Sequence, residues 1–160
     1  MRLSTALLPL SLLTLVACGG NSSAADVDIA ELVQTGKYEA AVSAAEAQLA
    51  TVEKGSEDHK DLVINYASAL AESDAEKARN EFLGFATAHA DLVTPKDFKF
   101  VVSQLRTHDE YLQAIDVMDA GKKRWPDDDE MDKTVAALKQ DIEASGDSAA
   151  AAKMKGLGYM

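Results

Sequence analysis

The chain has 160 residues, with 27 acidic against 16 basic side chains and a formal net charge of −11 at pH 7. That length can build one domain with a sizeable core. The acidity argues against a nucleic-acid partner and against adsorption to anionic lipid by charge. A single Cys excludes an intramolecular disulfide framework.

In chain order, Arg2 supplies a positive start and Leu3 to Val16 form an apolar run broken only by Ser, Thr and Pro9. The run is shorter than the ~20 apolar residues of a bilayer-spanning helix. It fits the apolar region of a secretory leader, which leaves fold reasoning to the rest of the chain. Leu15-Val16-Ala17-Cys18 resembles the bacterial lipobox. The resemblance implies cleavage after residue 17 and acyl chains (palmitate among them) on Cys18. An ordinary leader with an incidental Cys is the alternative, and it would leave an unpaired exposed thiol in an oxidising compartment. Two or more acyl chains anchor stably where one binds marginally. The family's sorting rules, with Gly19 rather than Asp after the Cys, point to the outer membrane facing the periplasm. Residues 18–24 then form a polar tether. Without the leader and its Arg2, 15 basic residues face 27 acidic ones, so attachment would have to come from lipid.

The remaining chain reads as all-α. A Ser, Thr or Asp followed three places later by an acid marks a helix start. It occurs at Ser23/Asp26, Ser73/Glu76, Thr94/Asp97, Thr107/Glu110 and Asp127/Glu130. Thr94 is strengthened by Pro95 at the first helical position, and Ser56 opens another helix with Glu57 and Asp58 in its first turn. Apolar residues follow at helical spacing, as in Phe98, Val101, Val102 and Leu105, or Met131, Val135, Leu138 and Ile142. These signals predict about seven helices, near 25–35, 38–52, 57–71, 74–90, 95–106, 108–124 and 128–144. Short connections predict antiparallel neighbours.

Ala41, Ala78 and Ala114 recur 37 and 36 residues apart. In the third segment Phe98, Val101, Val102 and Leu105 precede Ala114, Met118, Gly121 and Pro126. This pattern resembles a tetratricopeptide repeat, with Val102 where Gly or Ala is usual. Gly36-Lys37-Tyr38-Glu39-Ala40-Ala41 resembles the turn and second helix of the first unit, and Ala78, Phe82 and Phe85 carry the second. The resemblance covers residues 25–144 and implies a right-handed superhelix of antiparallel helix pairs. Stacking would supply the core that no single pair can build. A generic helical bundle is the alternative. Residues 145–160 read as a tail or partial capping helix, with Leu157, Tyr159 and Met160 either docked or exposed.

Catalytic and metal chemistry find no support. His59, His89 and His108 fall in different predicted helices without ligand spacing, and each is expected at a surface or helix end. There is no Gly-x-Ser-x-Gly elbow and no phosphate loop. Asp127 to Glu130 are consecutive and lack a central Gly, so they read as an acidic helix start rather than a calcium loop. Lys122, Lys123 and Arg124 read as a basic last turn, with Trp125 packing on the next unit. No cofactor is expected beyond covalent lipid on Cys18.

The repeat resemblance implies a groove lined by the first helix of each pair. It places Lys96, Lys99, Phe100, Ser103 and Arg106 there, with Asn65 and Ser68 from the preceding unit. Such a basic, partly aromatic strip would suit a carboxylate or acidic segment. The expectation is a membrane-anchored, periplasm-facing adaptor for another envelope protein or peptide. A self-assembling structural lipoprotein is the alternative, and an accessory subunit or hydrolase with an unrecognised site is a further one.

Overall fold

The structure, a computed structural model, describes residues 27–160. The leader, Cys18, the tether and the Ser23/Asp26 start signal lie outside the described residues. The described chain is all-helical, with no strand: α1 Ile29–Gln34, α2 Tyr38–Leu49, α3 Glu57–Leu70, α4 Ala75–Ala88, α5 Pro95–Thr107, α6 Tyr111–Arg124, α7 Asp129–Ser145 and α8 Ser148–Gly156. No helix among the described residues is long and apolar enough to cross a membrane.

The caps explain most boundaries. Ser56 accepts from the His59 N–H at the start of α3. At α5 the Asp97 carboxylate accepts from both the N–H (2.7 Å) and the hydroxyl (2.8 Å) of Thr94. Elsewhere the expected start slips. Asp74, not Ser73, caps α4 by accepting from the Lys77 N–H, and Asp128, not Asp127, caps α7 through the N–H groups of Glu130 and Met131. An Asp one position later wins because its carboxylate reaches the orphan N–H groups more strongly than a more distant oxygen can. Thr107 does not open α6 at all: it stays in α5, with its hydroxyl donating to the Ser103 carbonyl at 2.9 Å. The turn is made by Asp109 at φ 60°, and α6 starts at Tyr111. Gly146 ends α7 in the left-handed region at φ 73°, a conformation costly for residues with a Cβ.

The helices form two layers. α1, α3, α5 and α7 neighbour one another in one layer, and α4, α6 and α8 do so in the other. Within each successive pair the helices pack face to face, and α2 also packs on α3 and α6 on α7. Ala41, Ala78 and Ala114 are all fully buried between the layers, as is Ala150 in α8, which lies 36 residues after Ala114. A methyl there lets the backbones approach, while Phe82, Phe98, Leu105, Ile115, Met118, Met131 and Leu138 fill the space between pairs. Among the described glycines, Gly121 marks the closest approach. A Cβ on it would stand 2.6 Å from Met131 Cε and 2.9 Å from Phe98 Cδ1.

Ion pairs link neighbouring helices. Glu46 of α2 accepts from the Tyr66 hydroxyl (2.7 Å) and then from Lys77 of α4 (3.0 Å), which together hold its carboxyl below the usual range. Asp116 of α6 receives Arg79 of α4 at 3.0 Å and Lys153 of α8 at 2.7 Å. The last helix is thereby tied to the body. Its Ala150 and Met154 are fully buried, and the Tyr159 hydroxyl donates to Asp119 at 3.0 Å. Burial first, then Asp119, pushes the Tyr159 phenol up to about 12. Leu157 and Met160 stay 38% and 36% exposed, so only part of the tail docks.

Candidate functional site

The site is built on the layer of α1, α3, α5 and α7. On α5, the capping box and Pro95 fix the start, and burial of Phe98, Val101, Val102 and Leu105 fixes the rotation. Lys96, Lys99, Phe100 and Ser103 are then exposed and Arg106 is half-buried. The basic strip expected from the sequence is largely neutralised. Lys99 donates to Glu130 of α7 at 2.5 Å, and Arg106 meets Asp141 of α7 through Nε at 2.7 Å and Nη2 at 2.6 Å. Hydrogen bonds from Lys99, and then from Lys133, hold the Glu130 carboxyl down to about 2. Lys96 alone of the three cations has no ion-pair partner among the described residues. Its charge stands by itself at the N-terminal end of α5.

On α3, Asn65 is half-buried while Ser68 is 1% exposed, its hydroxyl spent on the Ile64 carbonyl at 2.8 Å. Asn65, Ser68 and Phe100 come together in one concavity of about 220 Å³. Ala30, Val33 and Gln34 of α1 and Gln104 of α5 complete its wall. The Phe100 ring is 43% exposed, a large apolar surface open to solvent beside polar amides. Ser103, by contrast, stays outside this concavity. Gln34 and Gln104 escape sequence reasoning because a lone carboxamide on a helix carries no motif. The only available signal is that Gln104 follows Phe100 by one turn, which puts both on one face.

The three histidines lie at helix ends, His59 in the first turn of α3 and His89 and His108 as the C-caps of α4 and α5, and none of them is fully exposed. His59 is 8% exposed, packs edge-on against Phe85 (5.0 Å between centroids), and lies 5.8 Å from His89. Its Nδ1 accepts from the Gly55 N–H at 3.0 Å. Burial, then the charges of Lys54 and His89, push its pKa down, favouring neutral imidazole. His59 and His89 line an open hollow of about 440 Å³ together with Asn80 and Glu81. His108 is elsewhere, its ring edge-on to Tyr38 at 5.3 Å. Among the described residues no group of three or more His, Cys, Asp or Glu is placed to hold a metal.

The basic last turn of α6 is structural. Lys122 bonds the Pro126 carbonyl and Asp132, Lys123 pairs with Asp119 at 2.6 Å, and Arg124 donates to the Ala86 and Ala90 carbonyls at the end of α4. Trp125 packs edge-on against Phe98 of its own helix pair, at 5.4 Å between centroids. No family model, curated protein or solved structure matches the chain.

Proposed function

We propose that this chain is a lipid-anchored adaptor of the bacterial envelope, attached through Cys18, facing the periplasm and performing no chemistry. It binds another envelope protein or peptide along the α1, α3, α5 and α7 layer of a tetratricopeptide-like superhelix. The sequence supports the anchor through the apolar leader and the lone Cys after Leu15-Val16-Ala17. The repeat reading is supported by the fully buried alanines at 36–37-residue intervals and the two-layer packing. Because fold class does not specify function, the observation that carries the proposal is local. One concavity joins three helices of one layer, beside a half-exposed Phe100.

A photo-crosslinking residue at position 100 in the native lipoprotein should capture an envelope protein, while the same residue at Leu112 of α6 should not. Equal capture from both, or capture from position 112 alone, would assign binding to another surface. A Cys18→Ser variant should leave the membrane fraction, and full retention would defeat the anchor. The exposed Leu157 and Met160 beside α8 favour a second reading, end-to-end self-assembly. A strictly monomeric sedimentation profile at high concentration excludes it.

A further inference from the structure

The concavity between α1, α3 and α5 has an unusual polar complement. Gln34, Asn65 and Gln104 each place a primary amide around it, and none of the three has a hydrogen-bond partner among the described residues. Each amide offers two N–H donors and one carbonyl acceptor. The apolar part of the lining is Val33, Ala30 and the open Phe100 ring. No charged side chain lines it, and the cations nearest along α5 toward α7 are already matched by Glu130 and Asp141.

We infer that this concavity takes an uncharged, extended peptide segment: the three carboxamides pair with its backbone, and one aliphatic or aromatic side chain enters beside Phe100. The inference rests on the adaptor reading and names its ligand class. A backbone amide presents one donor and one acceptor in succession, the complement of a carboxamide. A carboxylate presents acceptors only, so it would leave the carbonyls of Gln34, Asn65 and Gln104 unpaired. The volume of about 220 Å³ lies below the ~300–1,000 Å³ of sites that enclose a drug-sized ligand, and suits a side chain with its flanking peptide groups. Charge also decides against the acidic segment expected from the sequence. The protein carries a net −11, and two of the three cations on the strip are neutralised.

The test uses the chain without residues 1–18, which keeps every helix described above, isotope-labelled for NMR. The probes are blocked peptides Ac-Gly-Ser-Gly-X-Gly-Ser-Gly-NH2 with X as Leu, Phe, Asp or Lys, titrated to millimolar concentration. The Leu or Phe peptide should move the side-chain NH2 resonances of Gln34, Asn65 and Gln104, with an affinity unchanged between 50 and 500 mM salt. Asn65→Ala and Gln104→Ala should each weaken binding about fivefold, the size of one neutral hydrogen bond. Lys96→Glu should leave it unchanged. Preference for the Asp peptide, with loss in salt and on Lys96→Glu, would overturn the uncharged ligand while keeping the groove. Absence of any shift with all four peptides would overturn it too, and the crosslinks from position 100 would then decide the adaptor reading separately.

Discussion

Gly84 and Gly121 both sit inside helices, in α4 and α6, but they meet different surroundings. A Cβ on Gly84 finds nothing within 4 Å, whereas one on Gly121 would be 2.9 Å from Phe98 Cδ1 and 2.6 Å from Met131 Cε. Either substitution by Ala gains helix propensity of about 1 kcal/mol. At Gly84 that gain stands alone, so Gly84→Ala should stabilise by roughly 0.5–1 kcal/mol. At Gly121 the Met131 terminus can swing aside, but Phe98 cannot. Its ring is held edge-on by Phe82 at 4.8 Å and by Trp125 at 5.4 Å, and it is only 2% exposed. Overpacking of that kind costs about 1–3 kcal/mol. Gly121→Ala should therefore range from neutral to about 2 kcal/mol destabilised, and the two variants should differ by about 1–3 kcal/mol. Urea unfolding followed by circular dichroism at 222 nm measures both. Equal stabilisation of the two variants would refute the packing argument, because propensity alone would then account for each.

Two further outcomes follow from the electrostatics. Asp116→Asn removes the shared partner of Arg79 and Lys153, at sites that are only partly exposed. It should cost about 1 kcal/mol at low salt, less at high salt, and speed amide exchange in α8 more than in α3. His59 has its folded-state pKa pushed below 6.5, so the unfolded chain takes up the proton more readily. Stability should be complete above about pH 6.5 and decline as the pH falls toward the folded-state value. His59→Gln should flatten the pH 7 to 5 portion of the urea midpoint curve; an unchanged slope would show that His59 is not its source.

Local signals carry much of the fold. Thr94-Pro95 and Asp97 specify where α5 begins, because the whole device lies within four residues. The alanine interval is legible as well, and extended by another 36 residues it reaches Ala150, which points to α8. Boundaries slip where two capping side chains compete, as at Ser73/Asp74 and Asp127/Asp128, since the choice depends on carboxylate reach. The α5–α6 turn is illegible for a different reason: it needs a non-glycine residue, Asp109, in the left-handed region. Composition identifies the cations on α5 correctly. It does not reveal that Glu130 and Asp141 lie opposite Lys99 and Arg106, because those pairs close over 31 and 35 residues of chain. The amides of Gln34 and Gln104 are harder still. Neutral groups become conspicuous only once their surroundings show that they lack partners.

The brevity of α1 has a mechanical consequence. This helix has six residues and one buried side chain, Ile29, yet it supplies one wall of the concavity. Just before it, the Val27 carbonyl accepts from Gln48 Nε2 at 2.9 Å, which ties the chain to α2. Tension applied at Val27 enters the described domain at α1. The load therefore reaches the concavity before it reaches the denser packing of α3 to α6. Of the eight described helices α1 has the fewest buried side chains, so pulling at Val27 should open the concavity before it unfolds α3 to α6.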